Sequence, residues 1–120
     1  SVPVSKVADF LEEAGAAMRA FAPGCRICAF GHVGDGNIHY DVLRPDGGDD
    51  AAHSAKRDAG SRIVHDIVAR LEGSISAEHG LGAMKTEEAL RYKAPVEVNA
   101  LRAIRSALDP KRIMNPRVHF

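Results

Sequence analysis

Hydrophobic residues recur at two different periods along this chain. From Val4 to Phe21 the positions Val4, Val7, Phe10, Leu11, Ala14, Met18 and Phe21 fall at three- and four-residue steps, the stripe of an amphipathic helix, and Pro23-Gly24 stops it. Two short runs rich in apolar and β-prone residues follow, Cys25 to His32 and Asn37 to Leu43. Between them Val33-Gly34-Asp35-Gly36 supplies the Gly and Asp of a tight reversal, so the pattern predicts a β-hairpin with His32 and His39 near its turn. A polar, Gly-rich loop over 44–50 leads into a second helical pattern, Ala51 to Glu72, carried by Ala55, Ala59, Ile63, Ile67 and Leu71 and ended by Gly73. Ser74-Ile75-Ser76-Ala77 reads as a short strand. Residues 78–82 read as a turn into two more helices, Thr86 to Tyr92 and Pro95 to Leu108, with Pro95 suited to a first helical turn.

The predicted order is α-β-β-α-β-α, an α+β, ferredoxin-like sandwich in which long helices cover one face of a small, mainly antiparallel sheet. Residues 1–108 are expected to form the domain. Residues 109–120 hold two prolines and no amphipathic period, and are expected to be an extended tail lying on another surface. The chain begins at Ser1-Val2-Pro3 already close to a helix, as expected of a piece of something longer.

Composition narrows the function classes. The 120 residues suit one domain, and 45% hydrophobic with 27% charged residues is a globular balance. Sixteen Lys and Arg offset sixteen Asp and Glu, which leaves no electrostatic footprint for nucleic acid. No apolar run approaches the ~20 residues of a bilayer span, and the N-terminus lacks a basic-then-apolar signal. A cytoplasmic or organelle-matrix location is expected, with peripheral membrane association still compatible. Cys25 and Cys28 have Cys-x-x-Cys spacing without a second such pair, and are expected to be two reduced, buried thiols rather than metal ligands.

Two stretches carry the candidate chemistry: Gly31-His32-Val33-Gly34-Asp35-Gly36-Asn37-Ile38-His39 and Ser76-Ala77-Glu78-His79-Gly80-Leu81-Gly82. Both set imidazoles and carboxylates among glycines, which cost conformational entropy, beside polar groups ill suited to a core. If the hairpin is symmetric about its turn, His32 and His39 project from one face, and Glu78 could add a carboxylate oxygen. Two His and one carboxylate leave coordination positions open, the pattern of a catalytic divalent metal site, with zinc the first candidate and manganese next. Taken alone, Gly-Asp-Gly-Asn is also an ordinary turn, Glu78-His79 a solvated pair, and Lys85 a surface lysine. His53, His65 and His119 receive no role. A non-catalytic metal-binding or interaction module, and a hydrolase using metal-bound water, stand as alternatives.

These stretches, with Ala83-Met84-Lys85 after the second and Leu108-Asp109-Pro110-Lys111-Arg112-Ile113-Met114-Asn115-Pro116 near the end, resemble the C-terminal domain of FAD-linked D-2-hydroxyacid dehydrogenases in the vanillyl-alcohol oxidase superfamily. That family includes D-lactate and D-2-hydroxyglutarate dehydrogenases and the flavin subunit of glycolate oxidase. The resemblance implies a divalent metal on His32, His39 and Glu78, His79 as the base, Asn37 and Lys85 on the substrate, and Asn115 towards the flavin. It further implies FAD held mainly by a separate N-terminal FAD-binding domain, a small 2-hydroxy acid oxidised to the 2-oxo acid, and a quinone, cytochrome or electron-transferring flavoprotein as electron acceptor. One departure stands out: Asn115-Pro116-Arg117-Val118 occupies the place where the family reads Asn-Pro-Gly-Lys.

Overall fold

Val7, Phe10, Ala14 and Met18 form the buried stripe of helix α1 (Val7–Phe21), which is preceded by a 3-10 turn at Val4–Lys6. A computed structural model describes residues 1–118; His119 and Phe120, the end of the expected tail, lie outside the described residues. After α1 come strand β1 (Arg26–His32), a 3-10 turn at Val33–Asp35 and strand β2 (Asn37–Leu43). Four helices follow: α2 (Asp50–Ala55), α3 (Arg57–Arg70), α4 (Thr86–Tyr92) and α5 (Pro95–Leu108). The α+β class and the antiparallel hairpin agree with expectation. The chain divides into two compact units, residues 1–77 and residues 78–120.

In the first unit β1 and β2 form a two-stranded antiparallel sheet, in which Phe30 faces His39 and His32 faces Asn37. Ile38 and Tyr40 pack against a core of Val2, Val7, Phe10, Ala14, Val68 and Leu71, so α1 and α3 cover one sheet face. Each such buried Val, Leu or Phe contributes about 1.5–3 kcal/mol. Tyr40 meets Phe10 edge to face with ring centroids 5.5 Å apart. Burial holds its phenol above the usual tyrosine range, partly offset by the Arg19 charge. At the rim Arg70 of α3 pairs with Glu13 of α1, an exposed contact of small energetic weight.

Several expectations need correction. The helix foreseen over 51–72 is two helices: the Lys56 N–H closes a tight bond to the His53 carbonyl at 3.1 Å and ends α2. The apolar steps Ala55 and Ala59 straddle that break, which hides it from periodicity. Residues 74–77 form no strand, because the Ser74 hydroxyl turns back to the Ser76 carbonyl at 3.0 Å. Ser74 instead exchanges two hydrogen bonds with Ser1, at 2.7 and 2.8 Å, and Val2 donates to the Gly36 carbonyl at 2.9 Å. The N-terminal segment thus takes the place beside the hairpin that the predicted strand would have filled. The cysteines are not both buried either: Cys28 is exposed and opposite Asp41, while Cys25 is half-buried with its thiol 3.6 Å from the Met18 carbonyl.

Gly73 does not end α3 in the way its position suggests. The left-handed residue there is Glu72, with φ 58°. The Glu72 N–H bonds the Ala69 carbonyl and the Gly73 N–H the Val68 carbonyl, the paired bonds of a Schellman cap. Gly73 is required for a different reason: a Cβ there would stand 2.2 Å from the Ser1 carbonyl oxygen. Glu72→Gly is expected to raise unfolding stability by up to about 1 kcal/mol by relieving the left-handed side chain. Gly73→Ala should lower it by about 2 kcal/mol or more through the clash with the N-terminal segment. Urea denaturation of both variants checks the opposite signs.

The second unit holds α4, α5 and the residues that follow. The Glu97 carboxylate accepts from Lys93 Nζ and from the Ala94 N–H, both at 3.1 Å, and fastens the first turn of α5. Those bonds, Lys93 first, hold its carboxyl below the usual glutamate range. Residues 109–118 are not extended but run through turns. Asp109, only 8% exposed, accepts the Ile113 and Met114 N–H groups, each at 2.9 Å, while Arg105 donates to the carbonyls of Met114 and Asn115, both at 3.1 Å, and to that of Val118. Removing this carboxylate with Asp109→Ala strands two backbone donors, a loss of about 1–3 kcal/mol. Amide hydrogen exchange at Ile113 and Met114 should accelerate by one to two orders of magnitude.

Candidate functional site

Side chains on paired strands share a face when their residues stand opposite, and alternate residues along one strand share it too. The pairs Phe30–His39 and His32–Asn37 therefore place both imidazoles and the Asn37 amide on one face of the hairpin, opposite to Ile38 and Tyr40. His32 and His39 thus stand on the same side, as a symmetric hairpin requires. His39 is half-buried, and Asn37 is 9% exposed although polar. The Phe30 ring lies nearly parallel to the His39 imidazole, centroids 5.1 Å apart and planes 11° apart, which limits rotation of that imidazole.

Two glycines make this tip possible. Gly36 adopts φ 66°, and a Cβ on it would lie 1.8 Å from the Val2 carbonyl oxygen. Gly31 adopts φ 142°, and a Cβ there would lie 2.4 Å from the Asn37 carbonyl oxygen. Both positions forbid a side chain where the backbone comes close, and so hold His32 and Asn37 opposite one another.

The second stretch belongs to the second unit. Glu78 and His79 are adjacent, with a carboxylate oxygen 3.8 Å from the imidazole Nε2, and His79 is exposed. Gly80 and Gly82 both take positive φ, at 67° and 56°. The Thr86 hydroxyl donates to the Gly82 carbonyl at 3.0 Å and the Lys85 N–H to the Leu81 carbonyl at 3.2 Å, which ties the loop to the start of α4. Lys85 stands at the residue before α4. Asn115 sits in the Arg105 turn with φ 47°, a conformation asparagine tolerates better than most residues.

The structure thus gathers His32, Asn37 and His39 in one unit and Glu78, His79, Lys85 and Asn115 in the other. Among the described residues no group of three His, Cys, Asp or Glu is close enough to hold a metal ion. Of the expected metal ligands, His32 and His39 share a strand face, while Glu78 belongs to the other unit. Reading the sequence missed Phe30, whose aromatic ring two residues before His32 is the only signal of its stacking role. It also missed Arg105 and Asp109, which stand four apart at the end of α5, where a cation and a carboxylate can reach the turn that follows.

The hairpin histidines and the Glu78–His79 loop are the two stretches on which the resemblance seen in the sequence chiefly rests. The comparison with known families agrees: residues 1–118 match the family FAD linked oxidases, C-terminal domain, and the chain belongs to that family. Among its relatives, D-2-hydroxyglutarate dehydrogenase of Stutzerimonas stutzeri is 39% identical over 116 residues, covering 97% of this chain and 25% of that protein. Mitochondrial D-2-hydroxyglutarate dehydrogenase of Danio rerio is 36% identical over 119 residues, covering 97% and 20%. A D-2-hydroxyglutarate–pyruvate transhydrogenase of Saccharomyces cerevisiae is 33% identical over 112 residues, covering 92% and 21%. The chain spans about a quarter of the length of its bacterial relative. No helix among the described residues is long and apolar enough to cross a membrane.

Phe30→Ala leaves His39 without its stacking partner. The imidazole should then turn more freely, seen as changed chemical shifts of the His39 ring by NMR, while the melting temperature shifts little, since Phe30 is 52% exposed. Wild-type His39 ring shifts in the variant would show that the stacking does not hold the imidazole.

Proposed function

We propose that this chain is the substrate-handling part of an FAD-dependent dehydrogenase that oxidises a D-2-hydroxy acid to the 2-oxo acid, with D-2-hydroxyglutarate the first substrate to try. The observation that carries the reading is the 39% identity to such a dehydrogenase across 97% of the chain, and the shared face of His32 and His39, a two-imidazole donor set, supports it. Within this reading His79 takes the proton of the substrate hydroxyl, a role suited to an exposed imidazole beside a carboxylate. Asn37 and Lys85 hold the substrate carboxylate, one by hydrogen bonds and one by charge. His32, His39 and Glu78 hold a divalent metal, zinc or manganese, which when bound lowers the barrier to losing the hydroxyl proton.

FAD, bound mainly by an FAD-binding domain of the same protein, supplies the acceptor for the hydride of the substrate α-carbon. Asn115, in the turn gripped by Arg105, faces that domain together with the other turns of residues 109–118. A hydride to the flavin and a proton to His79, together two electrons and two protons, balance the oxidation of the alcohol carbon, and the electrons pass on to a quinone, a cytochrome or an electron-transferring flavoprotein. The location consistent with these partners is the cytoplasm or an organelle matrix, with peripheral attachment to a membrane where the acceptor is a quinone.

The test uses the full-length protein with its flavin. His79→Ala should lower kcat by roughly 10²- to 10⁴-fold with metal content unchanged, the loss expected for a general base. His39→Ala and Glu78→Ala should each remove the metal as measured by elemental analysis. Retention of metal in both variants, or a kcat within a few-fold of wild type for His79→Ala, overturns the assignment of roles.

A further inference from the structure

On the reverse of β2 from His39, between the end of α1, the strand and α3, lies a half-open cavity of about 160 Å³. Tyr40 lines it, and the Tyr40 Oη is buried without a hydrogen-bond partner. A buried hydroxyl in that state is uncommon, because it forfeits its bonds to water without gaining any in the protein. Met18, Phe21 and Val64 give the cavity apolar walls. Gly60 lies on the same wall, where a Cβ would come within 3.2 Å of Met18 Cε, so the absence of a side chain keeps the space open.

The charges at the rim all have one sign. Lys56 and Arg57, at the junction of α2 and α3, line the cavity together with His53 and His65, and among the described residues lining it none is Asp or Glu. The His53 Nε2 stands 3.1 Å from the Val42 carbonyl, which can only accept, so that nitrogen carries its proton and pins α2 against β2.

We propose that this cavity is a binding site for a small carboxylate with an apolar body, an aromatic or branched aliphatic acid. Its ring or branched chain lies against Met18, Phe21 and Val64, its carboxylate accepts from the Tyr40 hydroxyl, and Lys56 and Arg57 supply the compensating charge. The volume matches a benzene-sized group, since a cavity of ~150 Å³ holds benzene. 2-Hydroxyglutarate lacks an apolar body to lie against Met18, Phe21 and Val64, which separates this site chemically from one for that acid.

The experiment follows para-fluorobenzoate by fluorine NMR as it binds to the full-length protein, with para-fluorobenzyl alcohol as the neutral control. The acid should bind saturably and at least tenfold more tightly than the alcohol, and D-2-hydroxyglutarate should not displace it. Tyr40→Phe should weaken the acid about fivefold, the loss of one neutral-donor hydrogen bond. Lys56→Gln with Arg57→Gln should remove the preference for acid over alcohol, and Val64→Trp should abolish binding of both by filling the cavity. His39→Ala should change nothing. Thermal melts confirm that each variant folds, and should Val64→Trp not fold, Tyr40→Phe and the Lys56 and Arg57 pair still decide. Absence of saturable binding, equal affinity for acid and alcohol, indifference to Tyr40→Phe, or loss in His39→Ala each overturns the site.

Discussion

The antiparallel register that sets Phe30 opposite His39 and His32 opposite Asn37 governs what both faces of the hairpin can do. Because side chains alternate with a period of two, one register sends Ile38 and Tyr40 into the core against α1 and α3 and Asn37 and His39 to the other side. A slip of one residue would bury the imidazole and expose the aromatic. Three backbone contacts resist that slip: the close pass of Gly31 by the Asn37 carbonyl, the left-handed Gly36, and the bond from the Val2 N–H to the Gly36 carbonyl. The glycines of the first motif therefore serve position as much as access. They allow approaches of backbone to backbone that no other residue permits.

Helices α1, α4 and α5 and both strands were legible because their signals are local. The stripe of Val7, Phe10, Ala14 and Met18 needs only its own spacing, and Pro95 and the Gly-Asp turn announce element ends without reference to distant residues. Two of the failures, at Ser74 to Ala77 and at Gly73, share one cause, a dependence on residues far away in sequence. Whether Ser74 to Ala77 is a strand depends on what lies beside it, and Ser1 occupies that place. The need for Gly73 arises from the Ser1 carbonyl, seventy-two residues earlier in the chain, although the helix end nearby suggests a local reason. The turned conformation of 109–118 comes from the carboxylate of Asp109 and the guanidinium of Arg105, which a count of prolines does not weigh.

The candidate site divides along the same line. His32, Asn37 and His39 could be placed on one face from the turn between them, because a hairpin carries its register in its own loop length. Glu78 could be nominated by its chemistry but not positioned, since a loop between Ser76 and α4 offers no periodicity from which to project a side chain. The stacking of Phe30 on His39 belongs to the first kind in principle: residues opposite in a register are neighbours, and the same loop length that pairs His32 with Asn37 pairs this aromatic with the imidazole.

Each half of the candidate set is held by bonds within its own unit: the hairpin by Gly31, Gly36 and Val2, the Glu78–His79 loop by Thr86 and the Lys85 backbone. Holding each stretch in place and, on the proposed reading, acting on one substrate are separate demands on these residues. Energetically independent sites add, whereas residues acting on one substrate couple strongly. On the proposed dehydrogenase reading, a stabilising change such as one at the α3 cap should leave the chemistry untouched, while changes at His39 and His79, though lodged in different units, should fall short of additivity. Coupling across the division, rather than proximity within either half, is what distinguishes a shared active site from two well-folded motifs.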